Sequence, residues 1–516
     1  MSIAASSGGG SMSVHYFRVR KVGERLETEG SPSCFLGHEL PPTKANKPEG
    51  TFVEWSWDGS RLRVRNDRYG FYPLYYFARE GEIALSNSIP KLIELGAPTE
   101  LDDAALAVFL RLGFFLGEDT AFRAIRAVPP DTSFEWKEGA LQVSGKLALG
   151  KAAHWTRSNA VDAFMATARA AIRRRLPATD DFVVPLSGGM DSRHILLELC
   201  EAGHRPKLCV TVRHFPPRNN SDAECAAELT KALNVKHVIL NQPESRFQIE
   251  LKKNLKTGFC TDEHTHFMVL ADYLKGQAHT AYDGTGGDVY SHWGPWVRAP
   301  VLKLFDSGQY GEIAERYLGH DDFPARMLPR EQRRTFSREL AISRLVPELE
   351  RHGNVPNPIS SFFFWNRTRR EISLVPCCIL DDVPVVFCPF LDHEFLDFQA
   401  SLSPYLVKDD QFHSETINKA FPAVAQIPYE SKTPPVSDPA FFLRYARELG
   451  RFLLGRYPSR FVRGSYLLPR LLRCLLDQNY GQAMSWLGPL TLYLLQLEAF
   501  TAQPRQALTQ PSTDEK

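Results

Sequence analysis

Neither sign of charge is in excess in this 516-residue chain: 61 Lys and Arg stand against 60 Asp and Glu, a net charge of +1. A dedicated nucleic-acid binder needs a clear basic surplus, so no nucleic-acid partner is expected. No run of about 18 uncharged apolar residues occurs, so no transmembrane helix and no membrane partner are expected. The opening MSIAASSGGGSMSVHYF lacks the basic n-region and apolar h-region of a signal peptide. It reads as a disordered Ser/Gly leader over 1–14, with Met12 as a second candidate start beside Met1. A disulfide framework is missing too, because the nine cysteines are odd in number and scattered from Cys34 to Cys474. Together these absences make cytoplasmic the expected location. What is present is an enzyme-like composition, 43% hydrophobic and 23% charged. The length suggests two to four domains at about 150 residues each.

Residues 51–90 are strand-rich. FVEWSW and RLRVRND flank Asp58-Gly59, a pair that supplies the positive φ of a tight hairpin, and PLYYFA with IALSNS forms a second pair. Helical periodicity starts at Asp102, with Leu106, Phe109 and Leu110 on one face, and short strands return over 128–147. An α+β N-terminal domain is expected over 15–150. From Val161 strands at 182–186, 207–212, 236–240 and 280–283 alternate with helices near 191–202, 222–233 and 265–275, and Gly203 sits at a helix C-cap. That rhythm predicts an α/β domain whose parallel sheet binds ligands at the carboxyl ends of its strands. From about 303 the chain is mostly helical. Its last segment, LTLYLLQLEAF, is apolar nearly all round and is expected to be buried against the sheet domain. A disordered tail is expected over 501–516.

The string FVVPLSGGMDSRHILLELC carries the chemistry. A buried strand ends at Leu186, an SGG turn follows, and a helix starts near Asp191. Gly188 and Gly189 let backbone N–H groups close on an anion, the helix N-terminus adds partial positive charge, and Ser187 and Ser192 supply hydroxyls. The Walker pattern GxxxxGK[ST] is absent, so γ-phosphate transfer is not the natural reading. Asp191 would repel a bare phosphate, and its presence makes sense if it holds Mg²⁺ bridging carboxylate and phosphate oxygens. The plainer reading is a Gly-Gly turn with an N-capping Asp.

SGGMDS resembles the pyrophosphate loop, SGGxDS, of the ATP pyrophosphatase (adenine nucleotide α-hydrolase) family. The wider match is to its asparagine synthetase group. SDAECAAELTKALNVKHVIL, with Asp222 heading a helix, DGTGGDVY, CPFLDHEFLDF and IPYESK resemble further family segments in the right order, over roughly 160–500. The resemblance implies a synthetase domain in which a substrate carboxylate attacks the α-phosphate of ATP and an amine then displaces AMP. It implies that Asp191 and Asp288 hold Mg²⁺. Leu186, Ser187, Gly188, Gly189, Asp191 and Ser192 would cradle ATP, with backbone contacts from Asp283 and Gly284. Lys432 would be catalytic, stabilising charge in adenylation and in the tetrahedral step. Its plain alternative is a surface lysine. A homodimer stays open.

Two departures matter. Thr285 stands where asparagine synthetases carry a Glu, and Thr cannot serve as a general base near neutral pH. NDRYGFYPLYYF with IALSNSIPKLIE resembles the second half of a class II (Ntn) glutaminase domain. Those enzymes need a Cys directly after the initiator Met. Here Ser2 follows Met1, Ser13 follows Met12, Cys34 is far from either, and no RGPD-like glutamine-binding segment occurs. The domain is therefore expected to be a degenerate relic.

Asp262, Glu263, His264 and His266 open the helical stretch 265–275. His residues at i, i+2 diverge on a helix, so a metal is not expected there, and a solvated loop or a substrate contact is. Cys377-Cys378 in VPCCIL reads as buried thiols rather than a redox pair. Arg451, Arg456, Arg460, Arg463, Arg470 and Arg473 read as the solvated face of an amphipathic region, with docking to an acidic partner as the alternative.

The leading expectation is an ATP- and Mg²⁺-using, AMP-forming ligase joining a small-molecule or peptide carboxylate to an amine. Its product is asparagine, the amide of another small acid or sugar-polymer component, or a ring closed within one substrate, as in β-lactam and lasso-peptide formation. A non-catalytic nucleotide-binding scaffold is the alternative from another class.

Overall fold

Alternation of buried and exposed side chains builds two antiparallel sheets from residues 16–144. The structure, a computed structural model, describes residues 14–42, 48–292, 299–430 and 435–502. The strands are β1 (Tyr16–Val22), β2 (Arg25–Gly30), β3 (Ser33–Leu40), β4 (Glu49–Trp57), β5 (Arg61–Asn66), β6 (Tyr75–Arg79), β7 (Glu82–Ser86), β8 (Arg126–Ala127), β9 (Ser133–Lys137) and β10 (Ala140–Ser144). Their spatial orders are 2-1-7-6-8 and 10-9-5-4-3. Phe17, Val19, Ile83 and Leu85 of the first sheet share a core with Trp55, Val64, Phe134 and Trp136 of the second. The β4–β5 turn is the expected one: Gly59 has φ +97°, and Asp58 Oδ1 accepts the N–H groups of Ser60 and Arg61. After β5, the buried Asp67 carboxylate accepts backbone N–H groups from Phe52, Tyr69 and Phe71. Helix α1 (Ile89–Glu94) follows β7, and α2 (Asp103–Leu112) starts at Asp102, whose side chain caps Ala105 N–H at 3.0 Å.

The chain then changes to α3 (Arg157–Arg173), β11 (Phe182–Pro185), α4 (Asp191–Glu201), β12 (Leu208–Val212), α5 (Ser221–Ala232), β13 (His237–Leu240), α6 (Arg246–Lys256), α7 (Met268–Leu274), β14 (Thr280–Tyr282) and β15 (Val385–Phe387). The five strands are all parallel, in the order 13-12-11-14-15. The fold is thus α/β with an additional antiparallel N-terminal part, as the sequence predicts. Strand order reverses beside β11, which opens a crevice between the carboxyl ends of β11 and β14.

Arg175, 2% exposed, ties the two parts together. It pairs with Glu49 of β4 at 3.2 Å and with Asp392 of the PFLD segment at 2.8 Å. The final helix, Gly488–Ala502, is buried against α6 of the sheet domain, as expected, and also against α2 of the N-terminal part. Tyr493 stacks on Phe109 of α2 with ring centroids 4.7 Å apart, and Gln496 accepts from Asn254 of α6. That helix also runs two residues into the expected tail. The rest of the tail, and the leader up to residue 13, lie outside the described residues. Among the described residues, no helix is long and apolar enough to cross a membrane.

Candidate active site

The turn after β11 is held open by its own hydroxyls. Ser187 N–H donates to Ser192 Oγ at 3.1 Å, and Gly189 N–H donates to Ser187 Oγ at 3.3 Å. Helix α4 then begins at Asp191 without a side-chain cap, which leaves its first N–H groups for a ligand. Gly188 is required by a close approach: a Cβ there would stand 2.6 Å from Cα of Asp222, and its carbonyl accepts the N–H of Glu430 at 2.8 Å.

The loop after β14 folds onto this turn. A Cβ on Gly284 would lie 2.7 Å from Cβ of Asp191, and one on Gly287 would lie 2.6 Å from Asp191 Oδ1. Thr285 donates to the Asp283 carboxylate through its N–H at 2.8 Å and also through its hydroxyl. The two loops enclose a cleft of about 650 Å³ lined by Leu186, Ser187, Asp191, Ser192, Asp283, Gly284 and Asp288. Of the expected ATP-binding residues, only Gly188 and Gly189 are missing from that lining. Lys432 lies outside the described residues. The segment leading to it is anchored on α4, where the Arg193 guanidinium donates to the carbonyls of Ile427 and Pro428 and packs 4.0 Å from the centre of the Tyr429 ring.

Burial drives the Asp191 carboxyl well above the usual range, and the neighbouring charges of Asp288 and Asp283 push it the same way. Its Oδ1 is buried without a hydrogen-bond partner, although His413 Nδ1 lies 3.3 Å away. A crowded carboxylate set, with Asp191 and Asp283 half-buried, Asp288 exposed and one Asp191 oxygen orphaned, fits a hard divalent cation such as Mg²⁺. Both guanidiniums of the lining are already engaged, Arg218 with Glu430 and Arg367 with Glu263 and Glu371.

Several residues escaped the sequence reading. Behind Asp191, His413 Nε2 meets His194 Nδ1 at 3.0 Å, and burial keeps both imidazoles neutral. His214, also missed, lines the cleft beside the His266 that the sequence singled out, with ring centroids 4.5 Å apart. Phe364–Ile372 is π-helical, a geometry absent from any local signal, and it carries Arg367 and Glu371. Of the two readings of 262–266, a solvated loop or a substrate contact, the first does not hold: His264 is buried, and Glu263, His264 and His266 line the cleft. Lys419, exposed and paired with Asp162, does not line it.

Away from the cleft, Cys34 Sγ lies 3.6 Å from His15 Nδ1, but burial pushes the thiol up to about 11 and the imidazole down. All nine cysteines are free, and burial holds the Cys377 and Cys378 thiols well above their ordinary range. Five arginines of the basic stretch, Arg456, Arg460, Arg463, Arg470 and Arg473, pack over neighbouring rings, as Arg456 does on Phe452 and Arg470 on Tyr466.

No curated protein matches the chain. Among solved structures, an NMN synthetase from Francisella tularensis matches at 13% identity and a TM-score of 0.22, over 43% of this chain and 96% of its own. An NH3-dependent NAD synthetase from Campylobacter jejuni subsp. jejuni matches at 12% identity and a TM-score of 0.19, over 39% and 96%. Residues 40–145, which span β4 to β10, match the family model of a glutamine amidotransferase domain.

Proposed function

We propose that this chain is an ATP-dependent amide ligase of the asparagine synthetase type, releasing AMP and pyrophosphate and lacking glutaminase activity of its own. The observation that carries the reading is the convergence of the SGG turn, Asp191, Asp283 and Asp288 on one cleft at the carboxyl ends of β11 and β14. Residues 15–150 would then be a glutaminase relic and 160–500 the synthetase domain.

In this reading the turn and the free N–H groups of α4 hold the phosphates, and the apolar Val210 and Val212 on β12 offer a dry wall for the rest of the nucleotide. Asp191 and Asp288 would hold Mg²⁺, which would neutralise the departing pyrophosphate. With Arg218 and Arg367 already paired among the described residues, the resemblance assigns the cation for the developing charge to Lys432, which follows in sequence the stretch 427–430 that Arg193 and Gly188 anchor. Thr285 spends its hydroxyl on Asp283, so it cannot deprotonate an ammonium ion. That favours an acceptor other than free ammonia: the amine of another small molecule, or one within the substrate, as in ring closure. The Cys34 nitrogen is locked in a peptide bond and its thiol is raised to about 11, so it has little thiolate character, which supports the relic.

The test is the nucleotide product. Incubation with α-labelled ATP, Mg²⁺ and a panel of small acids and peptides is expected to give AMP, whereas ADP with inorganic phosphate would contradict the reading. Nucleotide binding with no turnover under any acid would favour the scaffold.

A further inference from the structure

A cluster on the wall of the cleft shares no residue with the proposed ATP-binding set. It starts from a backbone that no periodicity could reveal: His264 has φ +71°, in the left-handed region. Its ring therefore leaves the helical track that would carry it away from its neighbours. The side chain is 7% exposed, and its Nε2 makes no hydrogen bond while lying 3.5 Å from Glu371 Oε1. Glu263 adds a third donor, and the three ligand atoms lie within 4.8 Å of one another. Two donors on a tetrahedral ion with bonds of about 2.0–2.2 Å are separated by roughly 3.3–3.6 Å, so the His264–Glu371 spacing is already that of a chelate.

The surroundings orient these donors. Arg367 takes Oε2 of Glu263 at 3.0 Å through one terminal nitrogen and Oε2 of Glu371 at 3.1 Å through Nε. Each carboxylate thus keeps its other oxygen clear of the guanidinium, and Thr261 Oγ1 donates to Glu371 Oε1 at 2.9 Å, fixing its direction. We infer that Glu263, His264 and Glu371 form a binding site for a first-row divalent cation of the Mn²⁺ or Zn²⁺ class. One imidazole with two carboxylates suits such ions better than Mg²⁺, which prefers oxygen ligands and keeps its waters. Glu263 and His264 face the cleft, so the remaining coordination positions open toward a substrate's electron-pair donor. The inference does not rest on the ligase reading.

Its test needs no nucleotide. Chelator-stripped protein carrying Asp191→Asn and Asp288→Asn, which removes the other carboxylate pair, is titrated with Mn²⁺ alone and with Zn²⁺ alone. One bound equivalent is expected, and electron spin echo modulation of the Mn²⁺ form should show coupling to a single imidazole nitrogen. His264→Gln should erase that coupling and weaken binding at least tenfold, and Glu371→Gln should weaken it similarly. Because Glu371 is buried, the exposed Glu263→Gln serves as the carboxylate variant if Glu371→Gln does not fold. Binding of neither ion, or affinity and nitrogen coupling unchanged in His264→Gln, would overturn the assignment.

Discussion

Gly287 sits against Asp191 so closely that a Cβ on it would stand 2.6 Å from the Asp191 carboxylate oxygen. Backbone of one loop thus touches the carboxylate of the other, and no side chain fits between them. Gly287→Ala should therefore displace Asp191 and cost at least tenfold in Mg-ATP affinity while circular dichroism stays unchanged. Calorimetric titration checks this. Unaltered affinity would mean that the two loops do not act on one ligand.

Glutamine should not be hydrolysed. The Cys34 thiol is pushed up to about 11 by burial, so almost no thiolate exists near neutrality, and the adjacent His15 stays uncharged. Glutamate release should stay at the no-enzyme background from pH 6 to 9, and Cys34→Ala should change nothing. Release above background that Cys34→Ala abolishes would restore a glutaminase.

Lys432→Ala should lose about 10²–10³-fold in AMP formation with little change in nucleotide Kd, because a preorganised ammonium acts on charge that develops only in the transition state. Lys432→Arg should rescue poorly. Equal losses in binding and turnover would make the lysine a phosphate clamp.

Asp392 should limit acid stability. Burial alone would raise its carboxyl, but the Arg174 hydrogen bond and the Arg175 charge hold it at about 2. An unfolded Asp titrates near 3.9, so the folded state gains about 2–3 kcal/mol above that pH and loses it as pH falls through 2. Asp392→Asn also leaves Arg175 short of a partner, and about 3–5 kcal/mol should be lost at pH 7. Urea melts between pH 1.5 and 7 give both numbers, and the variant's curve should be flatter over the acid limb.

The strand–turn–helix unit around the SGG turn was legible because its signals are local: an apolar strand, a glycine pair and an amphipathic helix within nineteen residues. The hairpins at Asp58-Gly59 and at 75–86 were legible for the same reason. What escaped depends on distant pieces meeting. β2 is exposed throughout and carries no alternation, and β15 is three residues inside a helical stretch, paired only because β14 precedes it by about a hundred residues. Glu371 comes near His264 through a π-helix and across about a hundred residues of sequence, a proximity that no local spacing encodes. An all-round apolar helix says that it is buried but does not name every partner: the Gly488–Ala502 helix meets α6, and α2 of the N-terminal part as well.

The central claim is adenylation, and exchange of labelled pyrophosphate into ATP across a panel of carboxylic acids reads it before any amine is known. Exchange should appear with Mg²⁺ and one class of acid, and Asp191→Asn should abolish it in a protein that still folds. Exchange that persists undiminished in Asp191→Asn, or its absence with every acid offered, would contradict the account.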